Sequence, residues 1–314
     1  MKLTMRSYNG NEDYWRMREF LRQVMLLNDR REICWHVARL DYWWWFINPF
    51  LEKMALEERL FFWESEAGQI AAVLNPEGIY QAFLQVHPAF RAPELVEEMV
   101  AVAISQPQIL DAEGRPKVWF YIDAQDALCQ EILTRHGFQR SQEPEAWEYQ
   151  YRCVLDGKLF AAPVIPGYQL RPLRDGLELL ERCYASGLGF HNDDIHTARD
   201  NRDRPEWYHH LQSAPLYRRD LDLVAVATDG SIAAFCTIWF DDVTRTAYFE
   251  PVATVPAHQR RGLGRALMLT GLRRLGQMGC QVAFVGGYSQ MARALYCSVM
   301  GPDYDISEPW GMVT

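Results

Sequence analysis

Residues Val252 to Leu267 read V-A-T-V-P-A-H-Q-R-R-G-L-G-R-A-L, a strand that runs through a glycine-bearing turn into the start of a helix. Such a turn is built to hold an anion. Gly262 and Gly264 let the backbone take up angles and approaches closed to residues with a Cβ, so successive N–H groups at a helix N-terminus converge on phosphate oxygens. Arg260, Arg261 and Arg265 add positive charge at the same place. Two common nucleotide patterns fail here: the third glycine of G-x-G-x-x-G would fall at Leu267, and the phosphate-loop lysine pattern is missing.

The flanking residues give the loop a setting. Leu223 to Ala227 is an apolar run, Thr228-Asp229-Gly230-Ser231 a turn, and Ile232 to Trp239 a second strand, which together predict a hairpin. Asp241-Asp242 breaks that strand and Arg245 to Val255 supplies a third. After the loop, Ala266, Leu267, Leu269, Leu272 and Leu275 mark a helix that stops near Gly276 and Gly279. Gln281 to Val285 then reads as a buried strand, Gly286-Gly287 as a turn and Gln290 to Val299 as a short helix before a final strand.

The stretch Gln259-Arg260-Arg261-Gly262-Leu263-Gly264 resembles motif A of the GNAT N-acetyltransferase superfamily, Q/R-x-x-G-x-G/A. In that family the loop cradles the pyrophosphate of acetyl-coenzyme A. The resemblance therefore implies that Gln259, Arg260, Arg261, Gly262, Leu263, Gly264 and Arg265 hold this co-substrate. The order of strands and helices around the loop is the one the family requires. A second resemblance, to the family's N-x-x-A-x-x-x-Y-x-x-x-G, sets Ser289, Ala292 and Tyr296 on its first three positions. Ser289 replaces the asparagine and the glycine arrives one residue late as Gly301, which implies a rearranged turn after the helix.

A search for internal repetition extends the reading to the first half. Leu60 to Glu64, the turn Ser65 to Gly68 and Gln69 to Leu74 repeat the hairpin of residues 223 to 239, including an Ile-Ala-Ala triplet. A strand Tyr80 to Pro88, a helix near 93–104, a strand Val118 to Ile122 and a helix Ala127 to Arg135 before His136-Gly137-Phe138 come after it in the same order. The expected fold class is thus α/β (α+β): two tandem GNAT-like domains, each a mixed, mostly antiparallel sheet flanked by helices. Residues 1–155 form the first, 156–166 a Pro/Gly-bearing connector and 167–314 the second. In place of the glycine loop the first copy has Ala89-Phe90-Arg91-Ala92-Pro93-Glu94, with no glycine and a carboxylate where a phosphate needs positive charge. Pro93 still suits a helix's first turn. The first domain is therefore expected to bind no coenzyme, to support the active copy and to wall one side of the acceptor cleft.

The length of 314 residues, beyond the usual span of one core, agrees with two domains. A formal charge of −9 argues against nucleic acid or an anionic membrane as the main partner and permits a cationic amine. No apolar signal core follows the start, no run of about 18 apolar residues occurs, and the seven cysteines show no metal spacing, which suggests a reducing, cytoplasmic setting. His191, His196, His209 and His210 lie among Asp and Arg residues and read as solvated, not as metal ligands. Cys297, beside Tyr296 on an apolar helix, reads as a buried thiol. A monomer or homodimer is expected.

For the reaction, a protonated amine cannot attack a thioester, and with a lysine-like pKa near 10.4 only about one molecule in a few thousand is free base at pH 7. Glu250, on the strand Tyr248 to Val252, is the nearest acidic residue to the expected thioester and a candidate proton acceptor, direct or through water. Simple alternation sets Tyr248, Glu250 and Val252 on one face, although Pro251 disturbs the register. The family resemblance assigns Tyr296 the role of acid toward the departing thiolate. Backbone groups of Val252, Ala253, Thr254 and Val255 should pair with the pantetheine arm like an added strand, and an N–H there would polarise the thioester carbonyl. The expected activity is acetyl-CoA-dependent N-acetylation of a small-molecule amine by direct attack in a ternary complex. The alternatives are a non-catalytic acyl-CoA sensor, or a transferase using another acyl group or acceptor. Residues 183–217, with Phe190, Asp193, Asp194, Trp207, Tyr208 and Tyr217, occupy the family's variable acceptor region. Asp193 and Asp194 suit either a cation or a helix cap. The aromatic run Tyr42 to Phe46 is divided between core and a part in the acceptor pocket or domain interface.

Overall fold

Both Ile-Ala-Ala triplets lie on inner strands of antiparallel hairpins, and each hairpin leads into the same succession of elements. The computed structural model describes residues 2–106, 117–158, 160–161 and 163–312; Leu159 and Ala162 of the expected connector lie outside the described residues. The chain forms two compact units, Met1–Gln150 with Tyr304–Thr314, and Tyr151–Asp303.

The first unit begins with β1 (Leu3–Ser7), α1 (Asn11–Leu27), α2 (Val37–Tyr42) and a π-helical segment, Trp43–Glu52. Then come β2 (Phe61–Ser65), β3 (Ile70–Asn75), β4 (Gln81–Val86), α3 (Pro93–Ile104), β5 (Trp119–Asp123), α4 (Ala127–Arg135) and β6 (Phe138–Arg140). Strands β1 to β4 pair antiparallel in order, and β5 joins β4 in parallel through Gln81–Trp119 and Ala82–Phe120. The core lies where α3 and α4 cover this sheet, with Val96, Met99, Phe120, Ile132 and Phe138 packed together. Of the aromatic run, Trp43 is buried, and Trp44 stacks on Tyr14 with ring centroids 4.6 Å apart. That stack belongs to the unit's own packing.

After β7 (Glu148–Val154) the second unit contains β8 (Tyr168–Pro172), α5 (Leu177–Phe190), α6 (Ile195–Asp203) and α7 (Glu206–Leu211). It continues with β9 (Asp222–Ala227), β10 (Ile232–Asp241), β11 (Thr246–Thr254), α8 (Leu263–Gln277), β12 (Val282–Gly287) and α9 (Gln290–Met300). Strands β8 to β11 are antiparallel neighbours, and β12 runs parallel to β11. The last strand, β13 (Tyr304–Met312), pairs antiparallel with β5 and β6. The boundary expected from sequence assigns residues 304–314 to the second domain; the compact units assign them to the first, where Trp310 and Met312 pack against the core.

Two features of β11 shape the second unit's cleft. Its parallel ladder with β12 covers Thr246–Tyr248 and Val282–Phe284, and beyond those pairs the two strands diverge toward that cleft. On the other edge Phe249 faces Ile238 and Val252 faces Cys236, so Glu250 and Pro251 together oppose Thr237 alone, a β-bulge. The bulge inverts the side-chain alternation. Phe249 points at Gly271 of α8, whereas Ala253 points at Gly189 of α5, an odd–even reversal over four residues. Tyr248 and Val252 therefore lie on opposite faces, which corrects the simple alternation. The indole of Trp239 donates to the bulge carbonyl of Glu250 at 2.6 Å.

Candidate active site

The loop after β11 is held by its own backbone: His258 N–H donates to the Val255 carbonyl at 2.9 Å and Gln259 N–H to that of Pro256 at 3.2 Å. Arg260 and Gly262 both take left-handed angles, with φ of 61° and 78°. Gly262 occupies the N-cap position of α8, and no side chain caps that helix end. The first N–H groups of a fifteen-residue helix thus face outward with the positive end of its dipole.

They face a cleft of about 560 Å³, within the range of small-molecule and cofactor sites. Of the residues picked from the sequence, Val252, Ala253, Thr254, Gln259, Arg260, Gly262, Leu263, Gly264, Arg265, Ser289, Ala292 and Tyr296 line it. Three do not. Val255 is buried and bonds through its N–H to Ala233, Arg261 turns to β8, and Glu250 sits in the bulge. Ser289 has a further duty as N-cap of α9, its hydroxyl accepting from the Ala292 N–H at 3.2 Å.

Several wall residues escape a reading of the sequence. Gly286 and Gly287, whose pattern predicts a turn, form the end of β12 and one side of the cleft. Gly189, at the end of α5, adds to the lining, and Tyr288, Met291 and Leu295 extend the α9 wall. The paired glycines after a buried strand were the available signal, since close backbone approach is what glycine permits.

Tyr296 is buried at 7 % exposure on α9, with its ring 6.3 Å from that of Tyr151. Burial first, then the Cys236 thiol and the Glu250 carboxylate, push its phenol well above the usual tyrosine range. The hydroxyl therefore keeps its proton at neutral pH. The same effect means that Glu250, although off the cleft surface, is near enough for its charge to be felt at Tyr296. Cys297, expected to be buried, is exposed: Tyr296, Val299 and Met300 form the buried face of α9 and position 297 falls outside it.

The expected acceptor region divides its residues. Phe190 reaches the cleft. Asp194 caps α6 by accepting from the His196 N–H at 2.9 Å. The hydroxyls of Tyr208 and Tyr217 both donate to buried Asp222 at 2.7 Å, which also accepts from Thr237 at 3.1 Å, so they secure α7 and its following loop to the sheet. Among the described residues no cluster of His, Cys, Asp and Glu has the arrangement of a metal site, and no helix is long and apolar enough to cross a membrane.

Comparison with known proteins meets this geometry. Residues 180–301 match the family model of the acetyltransferase (GNAT) family. A GCN5-related N-acetyltransferase from Sphaerobacter thermophilus superposes with a TM-score of 0.64 at 18 % identity, over 98 % of this chain and 95 % of its own. A tandem GNAT protein from the clavulanic acid biosynthesis pathway gives 0.61 at 13 % identity, over 98 % of both chains. An acetyltransferase of the GNAT family from Colwellia psychrerythraea gives 0.56 at 10 % identity, over 99 % of this chain and all of its own, 100 %. No curated protein sequence matches this one. Likeness at such identities speaks to the fold, and it covers both units; the family match speaks to the second unit, where the glycine loop and Tyr296 lie. The chain thus has a tandem GNAT fold, and its second unit carries a domain that matches the acetyltransferase (GNAT) family over residues 180–301.

Proposed function

We propose that the chain transfers an acetyl group from acetyl-coenzyme A to the amine of a small molecule, by direct attack while both are bound. One observation carries this reading: the uncapped N-terminus of α8, behind left-handed Gly262 and flanked by Arg260 and Arg265, opens on a cleft that also holds the buried Tyr296 phenol. Converging N–H groups and two guanidinium groups suit a diphosphate. Diverging β11 and β12 leave backbone groups of Val252 to Thr254 beside the cleft, where an extended pantetheine arm would lie along the strand. The donor supplies an activated acyl group as a thioester.

The protein's part is to position and to move protons. Tyr296 keeps its proton at neutral pH and is the candidate acid toward the departing sulfur. Glu250 is the candidate acceptor of the amine's proton; lying off the cleft surface, it works through a water. Arg260 and Arg265 hold the donor and take no part in proton transfer.

The test is thiol release from acetyl-coenzyme A across a panel of small amines, with the acyl chain then varied. Turnover with at least one amine, strongly reduced at pH 7 in Glu250→Gln and Tyr296→Phe, is the expected result. Tight donor binding with no turnover on any amine would instead identify an acyl-CoA sensor.

A further inference from the structure

Arg260 and Arg261 are neighbours in sequence and part company in space. Arg260 lines the cleft, while Arg261 reaches β8, donating from Nη1 to the Tyr168 hydroxyl at 2.7 Å and from Nη2 to the Ala257 carbonyl at 3.2 Å. The Tyr168 hydroxyl also meets Nδ1 of His258 at 2.9 Å, with the two rings edge to face at 5.7 Å. One phenol thus ties together two residues of the loop between β11 and α8, and the Arg261 fork closes the loop on its own residue 257.

The loop has need of such a tie. Arg260 holds a left-handed angle that a residue with a Cβ adopts only at a cost, and such conformations persist where the surroundings over-determine them. That angle sits between His258 and Gly262, and it accompanies the turn of the Arg260 side chain into the cleft while Arg261 points away. The geometry points to Tyr168, with Arg261 and His258, as a latch that holds the loop ready for the diphosphate. Arg261 is then a positioning residue whose charge does not touch the ligand, and the β8 strand becomes part of the donor site. This inference rests on the proposed binding of acetyl-coenzyme A at the loop. Preorganisation of this kind acts on affinity, so the latch belongs to donor binding and not to the chemical step.

The experiment measures acetyl-coenzyme A binding by calorimetry, with kcat and KM where an acceptor is in hand. Tyr168→Phe keeps the ring and loses the hydroxyl; it is expected to weaken donor binding about fivefold to tenfold with kcat at saturating donor unchanged. Arg261→Gln should weaken binding to a similar degree, and adding it to Tyr168→Phe should cost little more, because both remove the same contact. Arg261→Lys decides the role. A latch needs the two-pronged fork, so lysine should fail much as glutamine does; near-complete rescue by lysine, or wild-type affinity in Tyr168→Phe, would overturn the latch while leaving the donor site intact. No donor binding by the wild-type chain would overturn both readings together.

Discussion

Gly287 and Tyr296 lie against each other so closely that a Cβ built on Gly287 would stand 2.7 Å from Cε2 and 2.9 Å from Cδ2 of the phenol ring. The absent side chain on β12 is what lets α9 lay its tyrosine along the cleft floor. Gly287→Ala should therefore push the ring aside. With a proton donor displaced by a fraction of an ångström to an ångström, kcat is expected to fall about tenfold to a hundredfold. A matched measurement of Tm separates this from unfolding, since one displaced ring should leave the fold standing.

The pH dependence is set by which groups carry protons. Burial, helped by the Cys236 thiol and the Glu250 carboxylate, raises the Tyr296 phenol, so it stays protonated through neutral and mildly alkaline pH. The wild-type rate profile should show no alkaline decline from this group below about pH 9. Glu250→Gln should cost about a hundredfold in kcat/KM at pH 7. The deficit should shrink as pH rises toward the pKa of the amine, because an amine already neutral needs no acceptor. A deficit constant with pH would count against Glu250 as the acceptor.

Much of this site could be read from residues alone because its parts are local. A glycine at a turn, a run of strand residues and a helical period all show within a dozen positions, and so both hairpins, the loop and α8, β12 and α9 stand out. Three things do not, for one reason: each depends on a partner far along the chain. The direction of Arg261 is set by Tyr168, 93 residues before it. The destination of β13 is set by β5 and β6, whose exposed edges no local pattern reveals. The face presented by Val252 is set by a bulge opposite Thr237, where Pro251 hints at irregularity without fixing its form. Cys297 is a different case, since the helical period of Tyr296, Val299 and Met300 already sets it on the outer face.

Gly271 offers a test of how α8 is seated. Its Cα faces the β10–β11 pair, and a Cβ there would stand 3.0 Å from Cε1 of Phe249 and closer still to the Cδ1 methyl of Ile238. Both neighbours are fully or nearly fully buried, so neither has room to retreat. Gly271→Ala should destabilise the second unit by about 1–3 kcal/mol through overpacking, despite the better helix propensity of alanine. Urea titration monitored by fluorescence measures it, and a stabilised variant would show that helix and sheet are less tightly packed than these distances imply.

The first unit should take no donor. Its β4 and β5 pair in parallel at Gln81–Trp119 and Ala82–Phe120, as β11 and β12 do before their cleft. Here the space beyond the pairs is filled: the Trp35 N–H donates to Gln85 Oε1 at 2.8 Å, its ring packs 5.0 Å from Phe83, and Arg91 is engaged by Asp126. What is left among Cys34, Trp35, Gln85 and Asp123 is a cavity of about 40 Å³, enough for a water and little more. Calorimetry should therefore give one acetyl-coenzyme A per chain. Two would require that the Glu32–Trp35 segment leave its place.

A salt-linked cluster gives the first unit an acid-sensitive seam. Arg6 on β1 spans Asp13 of α1, with nitrogen–oxygen distances of 2.7 and 2.6 Å, and Glu64 of β2 at 2.7 Å; Arg16 adds a second cation on Glu64 at 2.6 Å. Burial alone would raise both carboxylates, but the Arg6 guanidinium, the Asn9 N–H on Asp13 and the Arg16 guanidinium on Glu64 outweigh it, so both titrate below the usual range. A carboxylate depressed in the folded state contributes stability that is fully present above its unfolded pKa, near 4, and is lost as pH falls through the folded value. The first unit should therefore weaken below about pH 4. Arg6→Met leaves two partly buried carboxylates short of their main cation and should cost about 1–2 kcal/mol at pH 7. Because protonation relieves the unpaired carboxylates of the variant and removes the ion pairs of the parent, the difference between them should narrow on acidification. Urea midpoints at pH 7 and at pH 3.5 measure both effects, and a gap that holds or widens in acid would mean that Arg6 stabilises by stacking on Phe62, 4.8 Å beneath it, and not by charge.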